Sequence, residues 1–268
     1  MRLPFAAAVL ATTLAAPAAH ALTLYDNFSA TSLSSFRWNA SEATDDDGVI
    51  VDSRRALDSG HMRLEAKSYG GTIVNAGAGL ARFGMRLARS ADVTALQATL
   101  TARTATTPAC AGNSTFPSQV DLRLGGGFFN ADRRTLPGDS LLNDVQAWIG
   151  LTRNANDATL TVSAHVVQCL NDACTISNTL GTATLGNTSL DIPIGMSVTW
   201  DKAGHQFAFT SGLVAGTAFV PYTVSDVQPA HDAAKTIEVF GQPAHCTAAR
   251  AWVYGGVDVD DVYTNTLP

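Results

Sequence analysis

Apolar and polar residues alternate with a period of two along most of the chain. The alternation is clearest over residues 61–67, 82–87, 96–103 and 120–124, and the run Gly125-Gly126-Gly127 ends the last of these. A period of two is typical of β-strands that bury one face, whereas helices repeat every 3.6 residues. No apolar stripe with helical spacing follows residue 21. The pattern therefore predicts an all-β protein.

Two pairs of predicted strands are separated by short turns, which indicates β-hairpins. Residues 145–151 and 160–166 flank a turn at 154–157, and residues 196–200 and 207–209 flank a turn at 201–204. Asn, Asp and Gly occupy these turns, as tight reversals require. Regular strands with polar turns and no helices predict a β-sandwich or a β-barrel.

The two ends of the chain carry strand-like segments that we expect to be neighbours. They read LTLYDNF over residues 22–28 and AWVYGGVDVDDVYT over residues 251–264. No proline-rich or charged linker and no internal repeat separates them. The sequence therefore predicts one domain over residues 22–268, closed by its own ends.

Residues 1–21 have the features of a secretory signal peptide. Arg2 precedes an apolar run over residues 5–14, and Ala19-His20-Ala21 forms a cleavage site. The run is shorter than the 20 or so apolar residues that cross a bilayer. We therefore expect cleavage after Ala21, a secreted or periplasmic chain, and no membrane span. A formal net charge of −6 without a Lys/Arg cluster argues against nucleic acid as a partner.

Four cysteines follow the predicted signal peptide, which suits an oxidising compartment. Cys169 and Cys174 bracket a turn-like segment, so a local disulfide between them is expected, with Cys110 and Cys246 forming a long-range disulfide. The other two pairings and a zinc site remain alternatives, although the spacing is not typical of zinc ligands.

Three segments resemble the concanavalin A-like lectin/glucanase superfamily, in particular its secreted bacterial, LamG-like members. They are YDNF with the later Trp38, the hairpin SVTWDKAGHQFAF, and the closing VDVDDVY. The resemblance implies a jelly-roll β-sandwich of two antiparallel sheets, with one curved face that often carries carbohydrate. It also implies a structural calcium near the closing strands, for which Asp26 and Asp260 are the candidate ligands. The alternative is that the acidic turns are solvated, with Asp26 and Asp261 satisfying backbone donors.

The glycosidases of this superfamily carry an E-x-D-x-x-E motif on one strand, and the present sequence has none. Its glutamates, Glu42, Glu65 and Glu238, lie far apart. A retaining glycosidase needs two carboxyl groups about 5–5.5 Å apart, which alternate positions on one strand supply. The resemblance therefore does not predict a hydrolase.

The first hairpin predicts a set of polar and aromatic side chains on the face opposite its apolar one. If Arg153 faces Ala158, then Trp148 lies opposite Ser163, and Gln146 lies opposite His165. If the strand at 120–124 joins the same sheet, Asp121 and Arg123 share this face. An aromatic ring surrounded by planar polar groups suits a sugar, which offers an apolar C–H face and hydroxyl groups.

The sequence therefore predicts a secreted, non-catalytic carbohydrate-binding β-sandwich, with a polysaccharide or another glycan as its partner. No cofactor is expected apart from the structural calcium. One alternative is a hydrolase or lyase that uses Asp121, Arg123 or His165, including a Ser163–His165–Asp121 triad. Another is a structural or adhesive surface module.

Overall fold

The computed structural model describes residues 21–40, 44–46, 50–69, 80–109, 117–132, 140–244 and 251–267. Within these ranges the chain forms seventeen β-strands and no helix, which confirms the all-β prediction. The strands are β1 (Thr23–Asp26), β2 (Trp38–Ala40), β3 (Thr44–Asp46), β4 (Ile50–Asp58), β5 (His61–Tyr69), β6 (Leu80–Leu87), β7 (Ala95–Thr106), β8 (Gln119–Asn130), β9 (Asp144–Asn154), β10 (Leu160–Cys169), β11 (Ser177–Thr188), β12 (Pro193–Asp201), β13 (Gln206–Ser211), β14 (Ala218–Pro221), β15 (Gln228–Pro229), β16 (Lys235–Gln242) and β17 (Trp252–Thr264).

Across the described residues the strands form an eight-stranded and a nine-stranded antiparallel sheet. The eight-stranded sheet has the order β14-β13-β12-β7-β17-β5-β4, with β1 also paired to β17. The nine-stranded sheet has the order β11-β10-β9-β8-β16-β6-β2, with β15 paired to β8 and β3 paired to β6. Buried residues of both sheets form one hydrophobic core, so the sheets pack face to face. The predicted β-sandwich of two antiparallel sheets is confirmed.

The two ends of the chain meet in the eight-stranded sheet, as predicted. Strand β1 pairs with the end of β17, where Leu24 lies opposite Tyr263. Strand β17 lies inside the sheet, between β7 and β5. The last described strand of the chain therefore completes the middle of a sheet whose other strands come earlier in the sequence.

Burial alternates along the strands and shows which side faces the core. On β5, Met62, Leu64 and Ala66 are buried while their neighbours are only partly so. Leu122 on β8 and Ile149 on β9 are 0% exposed and contribute from the nine-stranded sheet. Full burial of such a side chain stabilises the fold by about 1.5–3 kcal/mol. We call the side of each sheet that faces away from this core its outer face.

The first predicted hairpin forms from β9 and β10, but its register differs from the prediction by two residues. Trp148 pairs with His165 and Gln146 pairs with Val167, rather than with Ser163 and His165 respectively. Because side chains alternate with a period of two, a shift of two residues leaves each of them on its predicted face. The predicted neighbours are wrong and the predicted face is right.

The turn between β9 and β10 explains the shift, because it is longer than the predicted four residues. Asp157 folds back onto Asn154: its side chain accepts a hydrogen bond from the Asn154 backbone N–H at 3.0 Å, and its own N–H donates to the Asn154 carbonyl at 3.1 Å. Asn156 within the turn adopts a positive φ of 71°. The loop therefore closes on the pair Thr152–Thr161 instead of on residues 153 and 158.

The second predicted hairpin forms from β12 and β13, with Trp200 opposite Phe207. The Asp201 side chain accepts a hydrogen bond from the Gly204 N–H at 3.0 Å and fixes the turn. His205 ends the turn at a φ of 49°, and its side chain is 61% exposed.

Cys169 and Cys174 form the predicted local disulfide, with 4.7 Å between their Cα atoms. Cys110 and Cys246 lie outside the described residues, as do residues 1–20 of the predicted signal peptide. Within the described residues, no helix has the length and apolar character to cross a bilayer.

Candidate functional site

Three adjacent strands of the nine-stranded sheet carry all of the predicted ligand-binding residues on the outer face. The inward neighbours of these residues, such as Leu122, Ala147 and Ala164, are 0% exposed in the core. Strand β8 lies next to β9, and β9 next to β10, as predicted. The residues brought together are Asp121 and Arg123 on β8, Gln146 and Trp148 on β9, and Ser163 and His165 on β10.

The Trp148 indole lies between two other side chains of the outer face. The His165 ring stacks on it, with the ring centroids 5.2 Å apart and an interplanar angle of 18°. The Arg123 Cζ atom lies 4.7 Å from the indole centroid and 3.9 Å from the centroid of the Phe240 ring. Because β8 and β10 flank β9 on opposite sides, Arg123 and His165 cover opposite faces of the indole.

This row of side chains corrects the prediction that Trp148 offers an open face to a sugar ring. A guanidinium over an indole stabilises the arrangement by about 0.5–2 kcal/mol, depending on its desolvation. A ligand would have to displace Arg123 or His165 before it could stack on Trp148. The edge of the indole, not its face, is what remains for a ligand.

A chain of hydrogen bonds runs across the same strands. His165 Nε2 lies 3.1 Å from Ser163 Oγ, which lies 3.2 Å from Thr152 Oγ1. Thr152 Oγ1 donates to Asp121 Oδ1 at 3.1 Å, and Arg123 Nε donates to Asp121 Oδ2 at 2.7 Å. Asp121 is 2% exposed, and these donors satisfy its carboxylate. These hydrogen bonds hold the row of side chains in place.

The hydrogen bonds do not assemble the Ser163–His165–Asp121 triad. In a catalytic triad the carboxylate bonds to the imidazole and orients it. Here the Asp121 carboxylate bonds to Thr152, and Thr152 in turn bonds to Ser163. The carboxylate therefore connects to the serine and not to the imidazole. Burial, together with the nearby Arg123 charge, lowers the pKa of His165 below its usual 6.5 against the opposing effect of Asp121. His165 is therefore neutral at pH 7 and suits stacking against the indole.

A pocket of about 90 Å³ opens beside Trp148, where β8 runs between β9 and β16. The glycines of residues 125–127 also line it. Gly125 lies directly opposite Trp148, and a Cβ atom there would overlap the Trp148 backbone. The polar and aromatic side chains that line the pocket are Arg82, Arg123, Gln146, Trp148, Asp232, Thr236 and Glu238.

Two of the residues that line this pocket carry a buried N–H group with no hydrogen-bond partner in the part of the chain that the structure describes. They are the indole Nε1 of Trp148 and the guanidinium Nε of Arg82. A buried donor without an acceptor costs roughly 1–3 kcal/mol, and folded proteins retain few such groups. A ligand with acceptor oxygens in the pocket would recover this free energy.

Residues 230–234, which we call the strap, cross the glycine run and form one side of the pocket. The Gly127 N–H donates a hydrogen bond to the Ala234 carbonyl at 3.1 Å. The buried carboxylate of Asp144 accepts one from the Asp232 backbone N–H at 3.0 Å. The strap therefore places Asp232 at the edge of the pocket.

Sequence reasoning missed the pocket residues on β6, on β16 and in the strap, which are Arg82, Thr236, Glu238 and Asp232. Alternation alone could have placed Glu238 on an outer face, because Ile237 and Val239 are apolar neighbours. No local sequence pattern indicates that β16 pairs with β8, which places Glu238 opposite Arg123. The Glu238 Oε1 atom lies 3.9 Å from Arg123 Nη1 and so joins the site.

The residues expected to bind calcium have other partners. Asp26 is 7% exposed; its Oδ1 accepts from the Phe28 N–H at 2.9 Å and its Oδ2 from the Trp38 indole at 2.8 Å. Asp260 Oδ1 accepts from the Asp261 N–H at 2.8 Å. Calcium takes six to eight oxygen ligands that converge on one point. Within the described residues no group of three or more His, Cys, Asp or Glu could hold a metal ion, so Asp26 and Asp260 do not fit one.

Comparison with solved structures finds lectins and a carbohydrate-binding module. The CBM2 module of the evolved Dit of Lactobacillus casei BL23 phage J-1 is 10% identical, covering 90% of this chain and 94% of that one, with a TM-score of 0.38. The VIP36 exoplasmic/lumenal domain in its Ca²⁺/mannose-bound form is 8% identical, covering 90% and 88%, with a TM-score of 0.36. Peanut lectin is 12% identical, covering 84% and 98%, with a TM-score of 0.30.

No protein-family model matches the chain, and no curated protein sequence matches it. The structural similarities are too low to carry an argument about function. The strand order and the two packed sheets define the class on their own, a β-sandwich of two antiparallel sheets.

Proposed function

We propose that this chain is a secreted carbohydrate-binding protein whose ligand enters the pocket beside Trp148. The observation that carries the proposal is the pair of buried, unpartnered N–H donors, Trp148 Nε1 and Arg82 Nε, on two residues that line one pocket. Both donors belong to rigid groups, and the indole is further held between Arg123 and His165. Preorganised donors of this kind lose little conformational entropy when a ligand binds.

The remaining pocket residues match the hydrogen bonds that a sugar makes. A hydroxyl group both donates and accepts, so it can bridge an N–H donor and a carboxylate. Glu238 and Asp232 supply carboxylate oxygens, and the Gln146 amide supplies one acceptor and two donors. Arg123 and His165 cover the faces of the indole, so a ligand ring in this pocket meets the edge of Trp148. The sugar therefore binds against the edge of Trp148 and not on its face.

The predicted compartment is part of the same proposal. The local disulfide at Cys169 and Cys174 supports it, because structural disulfides persist in oxidising compartments. The protein meets its glycan outside the cytoplasm and leaves it intact.

The experiment that tests the proposal is electrophoresis of residues 22–268 through native gels that contain different polysaccharides. Retardation in one gel with the polysaccharide left intact would support a binding protein. Release of reducing ends would instead support the alternative of a hydrolase or lyase. Free migration in every gel, with no signal on an oligosaccharide array, would contradict both and leave the adhesive-module alternative.

The substitution Trp148→Phe tests the site itself. Phenylalanine keeps a ring between Arg123 and His165 but lacks the N–H group. Because one hydrogen bond to the ligand is lost, we expect the affinity measured by titration calorimetry to fall about tenfold, which is about 1.4 kcal/mol. The free energy of unfolding should stay equal or rise, because an unpaired buried donor is removed.

The matched control is Trp200→Phe, at an indole whose Nε1 donates to the Tyr222 hydroxyl at 2.7 Å. This variant should lose roughly 1 kcal/mol of stability and keep its full affinity for the glycan. Equal affinity of Trp148→Phe and the unmodified protein would contradict a ligand role for the Trp148 indole.

A further inference from the structure

The outer face of the eight-stranded sheet carries a second concentration of aromatic and charged side chains. On β17, Trp252 and Tyr254 alternate with the buried Val253 and therefore point outward. On the adjacent β5, Tyr69 lies opposite Trp252, and Lys67 lies opposite Tyr254. All four outward side chains are partly exposed.

Two neighbouring rows cross this face from strand to strand. The first row runs from β4 to β7 through Asp52, Lys67, Tyr254 and Thr106. The second runs through Arg54, Glu65, Gly256 and Thr104. Gly256 has no side chain, and a Cβ atom there would meet Thr104 Cγ2 at 2.9 Å and Glu65 Cγ at 3.4 Å. A pocket of about 230 Å³ lies here, lined by Asp52, Ser53, Arg54, Glu65, Lys67 and Tyr254.

The Tyr254 ring differs from Trp148 in what covers it. Both faces of Trp148 are covered by charged or aromatic groups. Among the described residues, no other ring and no cation lies over the Tyr254 ring, while the Lys67 ammonium lies over Tyr69 and Trp252, at 5.0 and 4.6 Å from their centroids. Burial, together with the neighbouring Glu65 carboxylate, raises the pKa of Tyr254. The Tyr254 side chain lines the open pocket.

We propose that this face is a second carbohydrate-binding surface, with Tyr254 as the ring on which a sugar stacks. An aromatic face matches the apolar C–H face of a sugar, while Asp52 and Glu65 accept hydrogen bonds from hydroxyl groups and Arg54 and Lys67 donate them. This surface does not depend on the pocket beside Trp148, although both proposals assign the same class of ligand.

The charges favour a neutral polyhydroxyl ligand over other partners. The lining residues carry two carboxylates and two cations that alternate between adjacent strands, so no excess charge attracts an anion or a cation. A protein partner would need an apolar centre depleted of charge, whereas here the charges surround the ring. The chain as a whole is acidic, at −6, which disfavours a nucleic acid.

The two surfaces lie on opposite sides of the sandwich, because each is the outer face of a different sheet. One chain could therefore hold two polysaccharide strands at once. Such a protein cross-links a soluble polysaccharide and gains avidity on a dense one without any new contact.

The test uses an oligosaccharide that the unmodified protein binds, with calorimetric stoichiometry and polysaccharide turbidity as readouts. The unmodified protein should bind two oligosaccharides and make the polysaccharide solution turbid. Tyr254→Ala should bind one oligosaccharide and give no turbidity. Tyr254→Phe keeps the ring and should still bind two oligosaccharides and give turbidity. Thermal unfolding of each variant verifies that it is folded.

The outcomes separate the two sites. The second surface alone would be overturned if Trp148→Phe lost affinity while Tyr254→Ala did not change. A stoichiometry of one in the unmodified protein would also overturn it. Loss in Tyr254→Ala with no change in Trp148→Phe would support the second surface and contradict the site beside Trp148. No glycan bound by the unmodified protein would overturn both.

Discussion

Lys235 is a fully buried cation at the base of the strap. Its side chain is 1% exposed, and its ammonium donates to the carbonyls of Gly127 and Ala233 at 2.6 and 2.8 Å. It also lies 4.4 Å from the centroid of the Phe128 ring. Burial lowers the pKa of Lys235 to about 7, against the opposing effect of Asp232. The residue thus ties the strap to the glycine run, yet its charge is costly to bury.

This burial predicts a pH-dependent stability. The unfolded chain binds the Lys235 proton more tightly than the folded protein does, so the charged form lowers the free energy of unfolding. This reduction in the free energy of unfolding is fully present below pH 7 and disappears as the pH rises toward the pKa of 10.5 in the unfolded chain. Between pH 7 and 9 the unmodified protein should gain stability relative to Lys235→Met, by up to about 1.4 kcal/mol per pH unit. Urea unfolding at several pH values measures this difference, and parallel curves would contradict it.

At the scale of single residues, the sequence predicts which face of the sheet a side chain occupies but not which side chains contact it. Alternation placed Trp148 and His165 correctly on an outer face, because a period of two depends only on the local backbone. It could not show that Arg123 and His165 cover the indole, because that depends on which strands are adjacent and on the rotamers of long side chains. Glu238 was missed for the same reason, since its neighbour Arg123 is far away in the sequence.

At the scale of elements, the glycine run of residues 125–127 interrupts the apolar alternation without ending a strand. Strand β8 continues through it to Asn130 with a register shift after Gly127. The glycines instead let the strap and the neighbouring strand approach closely. Gly126 has a φ of 150°, and a Cβ atom there would overlap the carbonyl oxygen of Ala234.

We therefore expect Gly126→Ala to be strongly destabilising, by roughly 2–4 kcal/mol, because backbone atoms must move to relieve the overlap. The affinity for glycan should fall with it, since the strap carries Asp232. The matched control is Gly195→Ala on β12, where a Cβ atom meets nothing within 4 Å. That variant should be neutral or more stable by up to about 1 kcal/mol. Urea denaturation of both variants measures the difference in stability. Equal urea midpoints for the two variants would contradict this role of Gly126.

The register of the β9–β10 hairpin illustrates why elements are easier to predict than their pairing. The apolar alternation specifies both strands and their faces. The register depends on the turn, and hydrogen bonds between Asp157 and Asn154 lengthen that turn beyond the four residues suggested by its composition. A turn of Asn, Ala, Asn and Asp is compatible with several loop lengths, so the sequence alone did not decide between them.

At the scale of the whole molecule, the sandwich and the meeting of the chain ends could be predicted, but the strand order could not. Which strand lies beside which is decided by long-range packing, as with β16 between β8 and β6. The position of β17 has the largest consequence. It pairs with β7 along one edge and with β5 and β1 along the other, so it joins the two halves of the eight-stranded sheet.

This arrangement predicts that the chain cannot fold stably until β17 is present. Without it, β7 and β5 would each expose a row of unpaired backbone groups, and core residues such as Val257 and Val259 would be missing. We expect residues 22–250 to show no cooperative thermal unfolding and to bind hydrophobic dyes. Residues 22–266 serve as the control, because they retain β17 and Asn265, whose side chain accepts hydrogen bonds from the Thr94 and Ala95 N–H groups at 2.9 and 2.8 Å. A cooperative transition in the shorter chain would show that the strands before β17 form a stable core alone, contrary to the central place of this strand in the sheet.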